Sequence, residues 1–143
     1  MTELAKPYLL FLGDAPDELA AKTARGIAEW RPQDCLGEIA LEGCAVTLGL
    51  PRLSARDAAA KGARTLVIGV ANRGGVIPAH WHAPLADALR AGLDLASGLH
   101  QRLSDVPALA AAAAETGRRL IDVRYAADRV FEVGTGLKRS GLR

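Results

Sequence analysis

Short apolar runs that alternate with helical ones constrain this chain more than any other feature. Tyr8-Leu-Leu-Phe-Leu12, Leu66–Val70, Leu93-Asp-Leu-Ala96 and Arg119-Leu-Ile-Asp-Val123 are of strand length, and amphipathic or alanine-rich stretches separate them. Such alternation predicts βαβ units, hence an α/β fold with a mostly parallel sheet covered on both faces. Right-handed crossovers put every strand's carboxyl end on one edge. In open α/β sheets ligands sit in the crevice outside those ends. Gly13-Asp14, Asn72-Arg73-Gly74-Gly75, Ser97-Gly98-Leu99-His100 and Arg124-Tyr125 converge there by topology alone.

The helices announce themselves by their punctuation. Pro16 suits a first helical turn, and Asp14, Asp17 and Glu18 put negative charge at its positive end. Leu19, Thr23, Ile27 and Trp30 then recur on one predicted face, up to the stop at Arg31-Pro32. Ser54-Ala-Arg-Asp57 reads as a capping box with Asp in place of Glu. Pro84 is expected to open a helix that Gly92 ends, and Val106–Thr116 is a nearly pure alanine helix stopped by Gly117. Residues 38–41 and 45–48 read as two extended pieces around Glu42-Gly43, a strand and its return.

With 143 residues, half of them hydrophobic, the chain suits one domain with a real core. Alanine is about a fifth of it, so the core is expected to use small aliphatics and closely approaching helices. The net charge of +2 hides an asymmetry. Residues 118–143 carry seven Lys/Arg against three Asp/Glu, and residues 1–117 carry eleven against thirteen. That excess is small and stacking aromatics are scarce, which argues against a nucleic-acid module. No signal peptide and no run of membrane-span length is visible, so a cytoplasmic location without membrane association is expected. Cys35 and Cys44 lack metal-like spacing and read as free thiols.

Several motifs compete for the chemistry. Gly69 to Gly74 has the spacing of a phosphate loop, but Gly75 and Val76 stand where Lys and Ser/Thr belong, so nucleotide hydrolysis there is not expected. Paired glycines still let backbone N–H groups approach an anion, and Arg73 can hold a carboxylate bidentately. The bland alternative is a tight turn with Arg73 in solvent. Gly134-Thr-Gly-Leu-Lys-Arg-Ser140 resembles a phosphate loop too, yet is too short for one and equally suits a basic linker. His80-Trp-His82 would need a third ligand to hold zinc, and no metal is expected. His100 offers an imidazole just beyond a strand, a candidate general base, while Asp14 suits either a helix cap or a polar group facing a ligand.

Four blocks in order carry a more specific signal: P-Y-L-L-F-L-G-D-A at 7–15, V-A-N-R-G-G-V-I-P at 70–78, L-D-L-A-S-G-L-H at 93–100 and V-G-T-G-L-K-R-S-G at 133–141. Together they resemble the amino-terminal region of a bacterial family, once a domain of unknown function, that contains the D-glutamate N-acetyltransferase DgcN. The resemblance covers nearly the whole chain. It implies a Rossmann-like three-layer domain over residues 1–130 and a basic, Gly-rich linker over 131–143, leading to a second, P-loop-containing domain absent from this chain.

The implied activity is acetyl transfer from acetyl-CoA, as co-substrate, to the amino group of D-glutamate. On that reading Asn72, Arg73, Gly74, Gly75, Ser97 and Gly98 belong to the substrate cleft, and Lys138 and Arg139 reach a CoA anion at the domain junction. His100 or Asp14 takes the proton. Expected partners are D-glutamate, the P-loop domain and further copies of the chain. The competing class is a non-catalytic anion-binding or oligomerisation module, with all chemistry in the second domain.

Overall fold

The computed structural model describes residues 4–124. Five parallel strands form one sheet: β1 (Tyr8–Gly13), β2 (Cys35–Ala40), β3 (Thr65–Ile68), β4 (Asp94–Ser97) and β5 (Leu120–Asp122), in the order β2-β1-β3-β4-β5. Four α-helices connect them: α1 (Lys22–Trp30), α2 (Ala55–Ala60), α3 (Ala79–Arg90) and α4 (Pro107–Thr116). Right-handed crossovers in that order place α1 on one face and the other three on the opposite face. Accordingly α3 packs against both α2 and α4. The expected α/β architecture with a parallel sheet is what forms. Every residue of β1, β3 and β4 is buried, which is why these strands read as nearly unbroken apolar runs.

Three expectations are corrected. First, α1 begins at Lys22, and most of its expected core face is turned outward: Leu19 and Trp30 are 78% and 86% exposed, while Ile27 packs partly against the core. The helix instead approaches the sheet through Ala21 and Ala24, both fully buried. A Cβ on Gly69 would stand 2.4 Å from Ala24 Cβ, so glycine beyond β3 is what permits the approach. Ala24 N donates to Gly69 O at 3.1 Å, and Ala71 N to Ala20 O at 2.8 Å.

Second, β2 starts at Cys35 and has no returning strand. Residues 45–52 wrap around the Glu38 carboxylate, which has no solvent exposure and accepts from Thr47 Oγ1 (2.9 Å), Leu48 N (2.8 Å), Leu50 N (3.3 Å) and the Arg52 guanidinium. A buried carboxylate stripped of such partners would cost about 3–5 kcal/mol, so this loop is tied down by charge rather than by a ladder. Third, Pro84 lies inside α3 instead of opening it. The helix starts five residues earlier, after Pro78, and gives up only the bond Pro84 cannot donate to His80 O.

The remaining punctuation works as read. Ser54 Oγ accepts from Asp57 N at 3.0 Å, and Gly117 ends α4 in the left-handed region at φ +72°. Leu109 of the alanine helix is fully buried in the core. Cys35 and Cys44 are free thiols, and burial pushes the Cys35 thiol up, with Asp34 adding to the shift.

Candidate functional site at the carboxyl edge of the sheet

The chain leaves β1 toward β2 on one side, then returns across to β3 on the other, so the strand order reverses between β1 and β3. Crevices outside the carboxyl ends at such a reversal are the usual ligand positions of open α/β sheets. Asp14 stands at this point, directly after β1. Its Oδ2 lies 2.8 Å from His80 Nε2, and its Oδ1 accepts from Trp81 Nε1 at 3.1 Å. Both partners come from the first turn of α3. Trp81 is 1% exposed and meets Phe11 of β1 edge to face, ring centroids 5.3 Å apart. It is therefore a fixed anchor for the carboxylate. Burial pushes Asp14 up, but the hydrogen bonds from Trp81 and His80 outweigh it and leave the carboxyl below its ordinary range.

The loop after β3 is braced from within. Asn72 Nδ2 donates to Val76 O at 2.9 Å, Asn72 Oδ1 accepts from Val76 N at 3.0 Å, and Gly75 N donates to Asn72 O at 3.1 Å. The Asn72 amide and the Gly75 N–H are thus spent on the turn itself. Arg73 and Gly74 remain exposed at its tip. Among the described residues the Arg73 guanidinium has no hydrogen bond or ion pair.

This loop is locked to the one after β4. Gln101 N donates to Gly75 O at 2.9 Å, and Gln101 Oε1 accepts from Ile77 N at 2.6 Å. Gly75, at φ +62°, lies against His100: a Cβ there would come within 2.6 Å of His100 Cδ2 and 2.9 Å of its backbone N. Ser97 is buried, and its Oγ accepts from Leu99 N at 3.1 Å. Gly98 and His100 are exposed.

Asn72 to Gly75 and Ser97 to His100 are therefore brought together, while Asp14 is engaged by His80 and Trp81. Lys138, Arg139 and Tyr125 lie outside the described residues, as does the whole of the expected linker over 131–143. His80, Trp81 and Gln101 were not assigned these roles from sequence. The H-W-H run was the available signal, weighed there as a metal ligand. Instead its two histidines part ways on the helix: His82 Nε2 lies 3.3 Å from Ile77 O, and His80 meets Asp14. Among the described residues no three His, Cys, Asp or Glu side chains group as metal ligands, and no helix is long and apolar enough to cross a membrane. A cleft of about 400 Å³ between α2 and α3, lined by Ser54, Arg56, Asp87 and Arg90, contains none of these residues.

Comparison with known proteins gives this edge a context. Residues 38–126 match a family described as a domain of unknown function (DUF1611_N), Rossmann-like domain. The D-glutamate N-acetyltransferase of Tritonibacter scottomollicae is 56% identical over 137 residues, covering 96% of this chain and 41% of that protein. The D-glutamate N-acetyltransferase of a Pseudoalteromonas species is 39% identical over 141 residues, covering 99% and 42%. The chain thus spans about two fifths of the length of these curated relatives. A crystal structure of a DUF1611 family protein from Anabaena variabilis ATCC 29413 superposes with a TM-score of 0.64 at 26% identity, covering 84% of this chain and 37% of that one. Staphylococcus aureus homoserine dehydrogenase at pH 6.5 shares the fold alone, with a TM-score of 0.50 at 14% identity over 84% of this chain and 33% of that one.

Proposed function

This chain belongs to the DUF1611_N family of Rossmann-like domains, and on that premise we propose that it is the amino-terminal part of an acyltransferase that moves acetyl from acetyl-CoA to the amino group of D-glutamate. The reading rests on 56% identity across nearly the whole chain to a protein of that name. The loops at the carboxyl edge supply chemistry that suits it. D-Glutamate brings two carboxylates and an amine. Arg73, exposed at the tip of a braced turn, offers a bidentate partner for a carboxylate. Exposed Gly74 lets backbone approach the same anion, and Ser97 and Gly98 border the loop that buttresses it. Amide formation also needs a proton acceptor near the amine and donors for the thioester oxygen.

The rest of the assignment goes further. A second, P-loop-containing domain would complete the cleft, and Lys138 and Arg139 would meet the anionic part of CoA. The domain would act in the cytoplasm, as part of an oligomer.

Calorimetric titration of the chain with D-glutamate and with acetyl-CoA tests the reading first. D-Glutamate should bind, and Arg73→Ala should weaken it by about 10- to 100-fold, the worth of a charge-assisted pair at about 1.5–3 kcal/mol. In the full-length enzyme the same variant should raise the Michaelis constant for D-glutamate and leave that for acetyl-CoA unchanged. An unaltered D-glutamate constant would remove Arg73 from the cleft.

One observation favours a second reading, a module that assembles or binds while the chemistry lies elsewhere. Leu19 and Trp30 expose apolar surface on the outer side of α1 and the turn before it, as interface residues do. Sedimentation of wild type and Trp30→Ala separates the two readings: assembly lost with acetyl transfer intact assigns α1 to an interface only.

A further inference from the structure

We infer that His80, oriented by Asp14, is the group that takes the proton from the attacking amine. This inference rests on the acetyl-transfer reading above and names a residue for its central step. The geometry sets the tautomer. Asp14 Oδ1 already accepts from Trp81, and the carboxylate offers only acceptors, so the 2.8 Å contact at Oδ2 requires a proton on His80 Nε2. The lone pair then sits on Nδ1, the ring atom not turned to Asp14. A buried indole that fixes a carboxylate, which fixes an imidazole, is the arrangement a general base needs: an orienting acceptor on one nitrogen and a free lone pair on the other. The His80 side chain is 56% exposed, accessible to a ligand at this edge.

The two residues expected from sequence fit the role less well. Asp14 has both oxygens engaged, and those hydrogen bonds stabilise its charged form, which makes it a weak proton acceptor. It becomes the positioning residue. His100 is pressed against Gly75 and buttresses the loop that presents Arg73.

The step balances without any further reactant. The substrate ammonium first loses one proton to solvent. Its nitrogen attacks the thioester carbonyl, forming the C–N bond, and the remaining excess N–H proton passes to His80 Nδ1. Collapse breaks the C–S bond, and the imidazolium returns that proton to the departing sulfur, giving the amide and CoA thiol.

The test is carried out in the full-length protein, following CoA release. His80→Ala should lower kcat by about 10²- to 10⁴-fold, the usual range for a lost general base, with the Michaelis constant for acetyl-CoA unchanged. Added imidazole should restore part of the rate in His80→Ala and none in Arg73→Ala. His80→Gln keeps a donor toward Asp14 but has no basic nitrogen, so it should be as slow as His80→Ala. Full activity in His80→Gln, or no rescue by imidazole, overturns the inference and leaves His80 a structural partner of Asp14. A wild-type protein that releases no CoA from acetyl-CoA and D-glutamate refutes the acetyl-transfer reading itself. An active wild type with unimpaired His80 variants refutes only the role of His80.

Discussion

Replacing Gly75 by Ala tests the lock between the loops after β3 and β4, and Gly74 next to it is a built-in control. Both glycines have positive φ, +85° at Gly74 and +62° at Gly75. Placing an L-residue there costs about 1–2 kcal/mol through contact of Cβ with the backbone. At Gly74 that is nearly the whole cost, since its Cβ would meet nothing nearer than Val76 Cγ1 at 3.9 Å. At Gly75 the new carbon would overlap His100 Cδ2 at 2.6 Å and His100 N at 2.9 Å. The imidazole can rotate away, but the backbone nitrogen can retreat only by moving Gln101, whose two hydrogen bonds hold Gly75 O and Ile77 N. Overpacking of this kind adds about 1–3 kcal/mol. Gly75→Ala should therefore be less stable than Gly74→Ala by about 1–3 kcal/mol. With a urea slope of about 2 kcal/mol/M, the midpoints should differ by roughly 0.5–1.5 M. Equal midpoints would mean that the two loops are not locked, and the shared frame for Arg73 and His80 would have to be given up.

Two further outcomes follow from the packing and burial of Gly69 and Asp122. Gly69→Ala should destabilise the fold by about 1–3 kcal/mol in urea unfolding, because its Cβ would meet Ala24 Cβ at 2.4 Å and Ala24 Cα at 2.9 Å; Ala24→Gly in the same chain should return part of the loss, and strictly additive effects would refute the contact. Asp122 is pushed above its ordinary value of 3.8 by burial, with the like charge of Asp105 adding to the shift, against the opposing Leu103 N–H and Arg102. The folded chain thus holds this proton more tightly than the unfolded one, so the contribution is complete below the ordinary value and is lost as pH rises through the raised one. Asp122→Asn should remove that fall from the stability profile in mildly acidic solution, and an unchanged profile would refute it.

How much of this was legible depends on what each segment packs against. β1, β3 and β4 could be read directly, because burial on both faces leaves no room for polar alternation. β2 was obscured by Glu38, whose charge suggests a surface strand although it is fully buried among donors from residues 47–52. The second extended piece expected beside it does not pair, since the N–H groups of Leu48 and Leu50 go to that carboxylate. On α1 and the turn before it, Leu19 and Trp30 pointed to the wrong side, and only Ile27 of the expected face packs partly against the core. The residues of closest approach to the sheet are Ala21 and Ala24, and small residues give little weight to a hydrophobic pattern even when close approach to a glycine makes them indispensable. The shared carboxyl edge followed from topology, since right-handed βαβ units bring those strand ends to one side whatever the strand order. His80 did not, because its partner Asp14 lies 66 residues away and no local spacing links them.

The same residues explain why the loop after β3 and α3 are held as one piece. From Asn72 to Trp81 the chain is fixed at its start by the Asn72–Val76 pair of hydrogen bonds, at its middle by Gly75 and Ile77 on Gln101, and at its end by Trp81 on Phe11 and Asp14. Arg73 and His80 are the two side chains on this stretch that offer charge or a lone pair to solvent while the others hold position. On the proposed reading, an anion held by Arg73 would share one braced segment with the imidazole of His80. Catalysis by placement depends on such shared rigidity, since small misalignments of reacting groups cost orders of magnitude in rate. If the proposed roles hold, a substitution that shifts Gly75, which sits between the two, should impair D-glutamate binding and turnover together, whereas Arg73→Ala should act on binding and His80→Gln on turnover alone.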